Sequence, residues 1–255
     1  MKRMNYFLIM LKAFVVAYGF NVGEANAVLG VAPEVGIKIP TLIEEGGLVP
    51  IFLWAKNFND DDKIKSVILS IDSNPLEHKK VFVAVLQKPQ KYIFISTRFR
   101  MADAESGRIL VEVISESGQK IVKEVSTGKI SKPVNFNVQD SLNVTFKGGN
   151  ARSIFAGSEI GQPKLVVEKG RTNSEELTIK GMLHHPMLPS IDGKQKAMIE
   201  TVTIDYNGEQ LVDLSIGDAM TNDPFIQVNI IDDKGVGKAE MIWKDSSGKA
   251  FEASN

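Results

Sequence analysis

The chain has 255 residues, of which 43% are hydrophobic and 24% are charged, and its formal net charge is -1. This composition is typical of a globular protein of one or two domains, and it leaves no basic field that could hold nucleic acid. The chain contains no cysteine, which excludes disulfide bonds, thiolate metal sites and thiol nucleophiles.

The N-terminus has the layout of a secretory signal peptide. Lys2 and Arg3 precede a mostly apolar stretch, Met4–Phe20, and Ala25-Asn26-Ala27 offers the small residues that a signal peptidase reads. We therefore predict a signal peptide at residues 1–27 and a mature protein outside the cytoplasm. Lys12 interrupts the apolar stretch and weakens membrane insertion, so an uncleaved anchor stays open as the alternative.

The rest of the chain is dominated by short runs of alternating polarity. In Tyr92–Arg100, Ile93, Ile95, Thr97 and Phe99 face one way, and Arg98 and Arg100 face the other way. Period-two runs also centre on Val111, Ile204, Val228 and Met241, and Val49–Ala55 and Val81–Leu86 are continuous apolar runs that fit central strands. Because no helical period interleaves with these runs, the sequence predicts an all-β fold of antiparallel β-sandwiches.

Glycine-containing turns separate the strands and indicate a division into two domains. Tight hairpins are expected at Ser117-Gly118, Asn207-Gly208, Lys234-Gly235 and Ser247-Gly248. Residues 148–162 lack an apolar period and contain several glycines, which is typical of a linker. We predict sandwich domains at residues 28–147 and 163–255, each near the ordinary size of such a domain.

Several short motifs carry a resemblance to a known family. Asp72-Ser73-Asn74-Pro75 and Ser96–Met101 in the first half resemble SoxY, and Leu183–Met187, Asp223-Pro224-Phe225 and Trp243-Lys244-Asp245 resemble SoxZ. SoxY and SoxZ are the two subunits of the sulfur carrier in bacterial thiosulfate oxidation, here in one chain. The resemblance implies that both domains are immunoglobulin-like and in tandem, that the protein is periplasmic, and that it needs no cofactor.

The chain departs from this family at the residue that carries sulfur. SoxY ends in a glycine-rich arm with a cysteine near its tip, whereas here Gly148 and Gly149 are followed by Asn150. An amide is not a nucleophile at neutral pH and cannot hold sulfur covalently. The resemblance therefore implies a cysteine-free SoxYZ-like carrier or docking protein, with periplasmic oxidoreductases, c-type cytochromes or quinoprotein dehydrogenases as partners. A plain interdomain linker is the alternative interpretation of these glycines.

The other candidate residues indicate contact surfaces rather than catalysis. The resemblance implies that His185, Pro186 and Met187 shape the contact between the SoxY and SoxZ segments. Because adjacent side chains on an extended backbone point to opposite faces, His184 and His185 form a poor chelate. Arg98 and Arg100 could bind an anion, but a solvent-facing strand is the commoner case.

We therefore expect no catalytic residue and no metal site. Three functions stay open: a non-covalent docking protein, a thiosulfate-oxidising component that receives sulfur through a partner subunit, and an unrelated enzyme built on buried carboxylates.

Overall fold

The computed structural model describes residues 31–40, 43–72, 74, 79–101, 107–127, 130–132, 160–170, 175–187, 197–232 and 236–255. Pro33–Asn255 forms one compact unit. The strands of its first half are β1 Glu34–Lys38, β2 Ile43–Glu45, β3 Val49–Lys56, β4 Ile64–Ile71, β5 Lys80–Gln90, β6 Ile93–Phe99, β7 Arg108–Ser115, β8 Lys120–Ser126 and β9 Ile130–Lys132, with a 3₁₀ helix at Gly46–Leu48. The strands of its second half are β10 Lys164–Lys169, β11 Glu176–Met182, β12 Ile199–Tyr206, β13 Glu209–Ile216, β14 Phe225–Ile231, β15 Ala239–Asp245 and β16 Ala250–Ser254.

The predicted all-β fold is confirmed, and the strands form where side chains alternate. In β6, Ile93, Ile95, Thr97 and Phe99 are all buried, as the period-two pattern predicts. The hairpin turns also follow the sequence: Asn207 and Gly208 have φ angles of 54° and 80°, and Gly118 and Gly248 each have φ 86°. Among the described residues, no helix is long and apolar enough to span a membrane.

Two large antiparallel sheets form the sandwich, and each half of the chain contributes to both. One sheet has the order β1-β3-β6-β14-β11-β10, and the other has the order β16-β15-β12-β13-β5-β4-β7-β8. Each half therefore supplies three strands to the first sheet and four to the second, in the same order along the chain. This seven-strand arrangement is immunoglobulin-like.

The two halves meet edge to edge, which the sequence did not predict. Strand β5 pairs with β13 over Phe82–Leu86 and Val212–Ile216, and β6 pairs with β14 over Phe94–Thr97 and Ile226–Asn229. The inward-facing residues at this junction are apolar and belong to one hydrophobic core that runs through both halves. Backbone hydrogen bonds and apolar burial thus both hold the halves together.

One end of the sandwich, which we call the junction end, gathers the connections between the halves. It is the end at which β6 finishes and β14 begins, and Phe99 there pairs with Val49 at the start of β3. After β8, the Thr127 amide donates to the Gly107 carbonyl oxygen (2.8 Å), and before β10 the Gly161 amide donates to the His184 carbonyl oxygen (3.0 Å). The chain therefore leaves the first half and enters the second half at the same end of the molecule.

Candidate functional site at the junction end

The predicted site residues fall into two groups. Gly148, Gly149 and Asn150 lie outside the described residues, as does most of the predicted linker. His185, Pro186 and Met187 follow β11 at the junction end, and the Met187 carbonyl oxygen accepts a hydrogen bond from Arg100 Nη2 of the first half (2.9 Å). The predicted contact segment thus lies beside the other half of the chain.

His185 is a buried neutral imidazole. It is 3% exposed, its Nδ1 accepts a hydrogen bond from the Met187 amide (3.2 Å), and its ring meets the Phe251 ring edge-on at 6.2 Å. Burial lowers the pKa of His185 to about 4, although the carboxylates of Asp245 and Asp223 oppose the shift. At neutral pH the ring is therefore an uncharged packing group and a hydrogen-bond acceptor.

His184 points the other way and pairs with a carboxylate. Its Nδ1 lies 2.7 Å from Asp223 Oδ1, and both side chains are 22% exposed. The same carboxylate oxygen accepts the His185 amide (3.1 Å), while the Asp223 amide donates back to the His185 carbonyl oxygen (2.9 Å). The loop after β11 and the loop before β14 are thereby tied to each other, with the His184–Asp223 pair on their partly exposed side.

The expectation of solvent-facing arginines is wrong for Arg100, which is 8% exposed. Its guanidinium donates to the Met187 carbonyl oxygen and to Asn222 Oδ1 instead of facing water. Burial lowers the pKa of Arg100 to about 10, with the Asp218 carboxylate opposing the shift, so the group stays charged at neutral pH. The strand pattern could not reveal this, because the burial comes from loops of the other half. Arg98 is half-buried, with its guanidinium carbon 5.7 Å from the centre of the Phe225 ring.

Motifs from distant parts of the chain converge at this end. Asn74 Nδ2 donates to the Arg100 carbonyl oxygen (3.0 Å), and Thr97 Oγ1 donates to the Phe225 carbonyl oxygen (2.7 Å). Together with the Arg100 contacts, these bonds join the motifs around residues 74, 100, 187 and 223. The cluster consists of fixed hydrogen-bond groups, which suits recognition of a partner. Within the described ranges, no group of three His, Cys, Asp or Glu side chains is arranged to hold a metal ion.

Thr221 is a buried residue of this cluster that sequence reasoning missed. Its Oγ1 is fully buried without a hydrogen-bond partner in the part of the chain that the structure describes. We expect Thr221→Val to raise the free energy of unfolding by about 1 kcal/mol, because the variant no longer desolvates an unsatisfied hydroxyl. Denaturant unfolding measures the change. Thr97→Val is the matched control: it should lower the free energy of unfolding by about 1 kcal/mol, since that hydroxyl is bonded. A loss of stability in both variants would contradict the assignment.

The comparisons with known proteins agree with the motifs. Residues 22–127 match the family model of sulfur oxidation protein SoxY, and residues 166–255 match that of sulphur oxidation protein SoxZ. A search of the curated proteins finds no match. Among solved structures, a red sea bream transglutaminase aligns with 88% of this chain and 31% of its own, at 11% identity and a TM-score of 0.25. A marsupial T cell receptor aligns with 88% of this chain and 96% of its own, at 7% identity and a TM-score of 0.25. Neither likeness is close enough to support an argument.

The fold and its junction define a protein of two immunoglobulin-like halves joined edge to edge. The family matches are more specific: the chain belongs to the SoxYZ family and is a SoxY–SoxZ fusion. SoxY and SoxZ are carrier and accessory proteins rather than catalytic enzymes, and their presence together indicates a component of a sulfur-oxidation system. The fusion makes the SoxY–SoxZ contact intramolecular.

Proposed function

We propose that this protein is a periplasmic docking or carrier-like protein that presents its junction end to oxidoreductases. The observation that carries the proposal is the position of the described flanks of residues 133–159. Thr127 and Gly161, on either side of the segment that contains Gly148, Gly149 and Asn150, are both hydrogen-bonded at the junction end. The motif residues that identify the family gather at that same end, so a partner that recognises them also meets the start and finish of the connecting segment.

The chemistry of the proposed carrier is non-covalent. The chain has no cysteine, and Asn150 stands where the family carries its thiol. An amide forms neither a disulfide nor a persulfide, so a bound group would be held by hydrogen bonds and packing. His184 and Asp223 are the partly exposed polar groups that we propose for contact with a partner.

The proposed location and partners follow from the leader and the family. A signal peptide at residues 1–27 would direct the protein to the periplasm, where the expected partners are c-type cytochromes and quinoprotein dehydrogenases. Fusion of the two subunits raises their effective concentration, which keeps the docking end assembled even when the protein is dilute.

Affinity capture from the native periplasm tests the proposal. The protein carries a C-terminal tag, and mass spectrometry identifies both the captured partners and the N-terminal peptide of the mature chain. We expect an oxidoreductase or its cytochrome, and a chain that begins at Val28. His184→Ala should reduce capture about tenfold, as expected for losing a contact of about 1.4 kcal/mol.

Asp60→Ala is the matched control for this capture. Asp60 is an exposed acid in the loop that follows β3 at the opposite end of the sandwich, where it pairs with Lys91 (3.1 Å). It should capture partners at the level of the unaltered protein. Capture that falls equally in both variants, or that is unchanged by His184→Ala, would contradict recognition at the junction end.

The second candidate is direct service in thiosulfate oxidation, with sulfur attached through a cysteine-bearing partner subunit. The SoxY and SoxZ matches favour it. Incubation with thiosulfate and a thiosulfate-oxidising cytochrome, followed by intact-mass measurement, should then show an adduct on a co-captured cysteine-bearing subunit. Finding neither an adduct nor such a subunit would remove this candidate and leave the docking role.

A further inference from the structure

Arg100 is a buried cation of the first half whose hydrogen bonds reach into the second half. Its Nη2 donates to the Met187 carbonyl oxygen (2.9 Å) and to Asn222 Oδ1, and its backbone amide donates to the Ala219 carbonyl oxygen (2.7 Å). Asn74 of the first half fixes its carbonyl oxygen (3.0 Å). One residue thus bridges the loop after β11 and the loop before β14. The planar guanidinium suits this task, because its donors point in fixed directions.

The two bridged loops hold strained backbone. Met187 has φ 49° and Asp223 has φ 47°, which is the left-handed region that side chains other than glycine rarely adopt. Such conformations persist only where the surroundings hold them in place. The Arg100 contact with the Met187 carbonyl oxygen and its contact with Asn222, next to Asp223, supply such a hold on both loops.

We propose that Arg100 is a positioning residue that holds the His184–Asp223 pair in its geometry at the junction end. The 2.7 Å contact between His184 Nδ1 and Asp223 Oδ1 joins the same two loops that Arg100 bridges from the buried side. The role of this pair in partner contact rests on the proposed function, whereas the positioning by Arg100 does not. The proposal also replaces the anion site considered for Arg100, because its guanidinium is buried against groups of its own chain.

The charged groups around Arg100 are consistent with this role. The Asp218 carboxylate, in the same loop as Asn222, lies near enough to favour the charged form of the guanidinium. Neutral oxygen atoms of Met187 and Asn222 accept its hydrogen bonds. A hydrophobic replacement of Arg100 therefore leaves both oxygen atoms without this donor and loosens both loops together.

Residue-resolved amide hydrogen exchange tests the proposal in the full chain. In Arg100→Met, we expect the amides of His185, Met187 and Asp223 to exchange at least about tenfold faster relative to a core amide such as Val202. Arg100→Lys, which keeps the charge but not the two-pronged geometry, should give an intermediate acceleration. Arg98→Met is the matched control, since Arg98 lies on the same strand and contacts Phe225; its loop amides should follow the core.

The outcomes separate positioning from general stability and from docking. If loop and core amides accelerate by the same factor in Arg100→Met, Arg100 only stabilises the fold and the proposal is overturned. Should that variant fail to fold, Asn222→Ala removes one acceptor and leaves the cation; selective acceleration of Asp223 then supports the proposal, and uniform exchange overturns it. Partner capture measured on the same folded samples reports on docking: selective loop acceleration with unchanged capture would sustain the positioning role and overturn the proposed docking end.

Discussion

Gly217→Ala is expected to lower the free energy of unfolding by about 2–3 kcal/mol, as overpacking of a rigid site does. Gly217 follows β13 in the second half and lies against β5 of the first half. A Cβ atom at this position would stand 2.2 Å from the Lys80 carbonyl oxygen and 2.7 Å from its carbonyl carbon. The Lys80 backbone cannot easily withdraw, because the Ala219 amide donates to that same oxygen (3.1 Å) and the Gly217 amide donates to Val81 (2.9 Å). Denaturant unfolding followed by circular dichroism measures the loss.

Gly36→Ala serves as the matched control for this prediction. Its Cβ would meet the Trp54 ring at 2.0 Å, but the obstacle is a side chain on the outer face of the sheet, which can swing away. We expect a loss below about 1 kcal/mol, in the range of ordinary surface changes. Equal losses in the two variants, or no loss in Gly217→Ala, would mean that the junction between β5 and β13 is looser than the structure shows.

His185 is expected to make the protein less stable by up to about 3 kcal/mol as the pH falls from 6.5 to about 4. Burial lowers the pKa of the folded imidazole to about 4, whereas an exposed histidine has a pKa of 6.5. Within this window the unfolded chain binds the proton and the folded chain does not, so acid favours unfolding. The stabilisation is complete above pH 6.5, is lost as the pH falls through the window, and changes no further below it.

His185→Asn isolates this effect, because the asparagine Oδ1 can replace Nδ1 as acceptor for the Met187 amide and does not titrate. The free energy of unfolding is measured at pH 7, 6, 5 and 4 for both proteins. The carboxylates near His185, Asp223 and Asp245, are present in both proteins, so the difference between the curves reports His185. Parallel curves would show that the imidazole is not buried as a neutral group at the junction end.

The strands and turns were predictable because their signals are local. Alternation in β6 identified its buried face, and the continuous apolar runs became β3 and β5, which are interior strands of the two sheets. Asn207-Gly208 formed the expected hairpin, since both residues tolerate positive φ. The missing thiol was likewise plain from composition, because the chemistry of sulfur transfer requires a specific atom.

The candidate site was only partly predictable. His185, Pro186 and Met187 were selected by resemblance, and the structure brings Met187 against Arg100. Arg100 itself was misjudged, because its place on the polar side of β6 predicts exposure when the strand is considered alone. Thr221 carried no signal, since a single threonine between polar residues has no period.

The sequence by itself determined the class of fold, the strand faces, the turns and the absence of any thiol, because each depends on residue types a few positions apart. Only the tertiary structure decided that β5 pairs with β13 and β6 with β14. Edge pairing uses backbone N–H and C=O groups that nearly every residue carries, so the choice of partner leaves little trace in the side chains. That pairing buries Arg100 beneath loops more than 80 residues away and gathers the family motifs at one end.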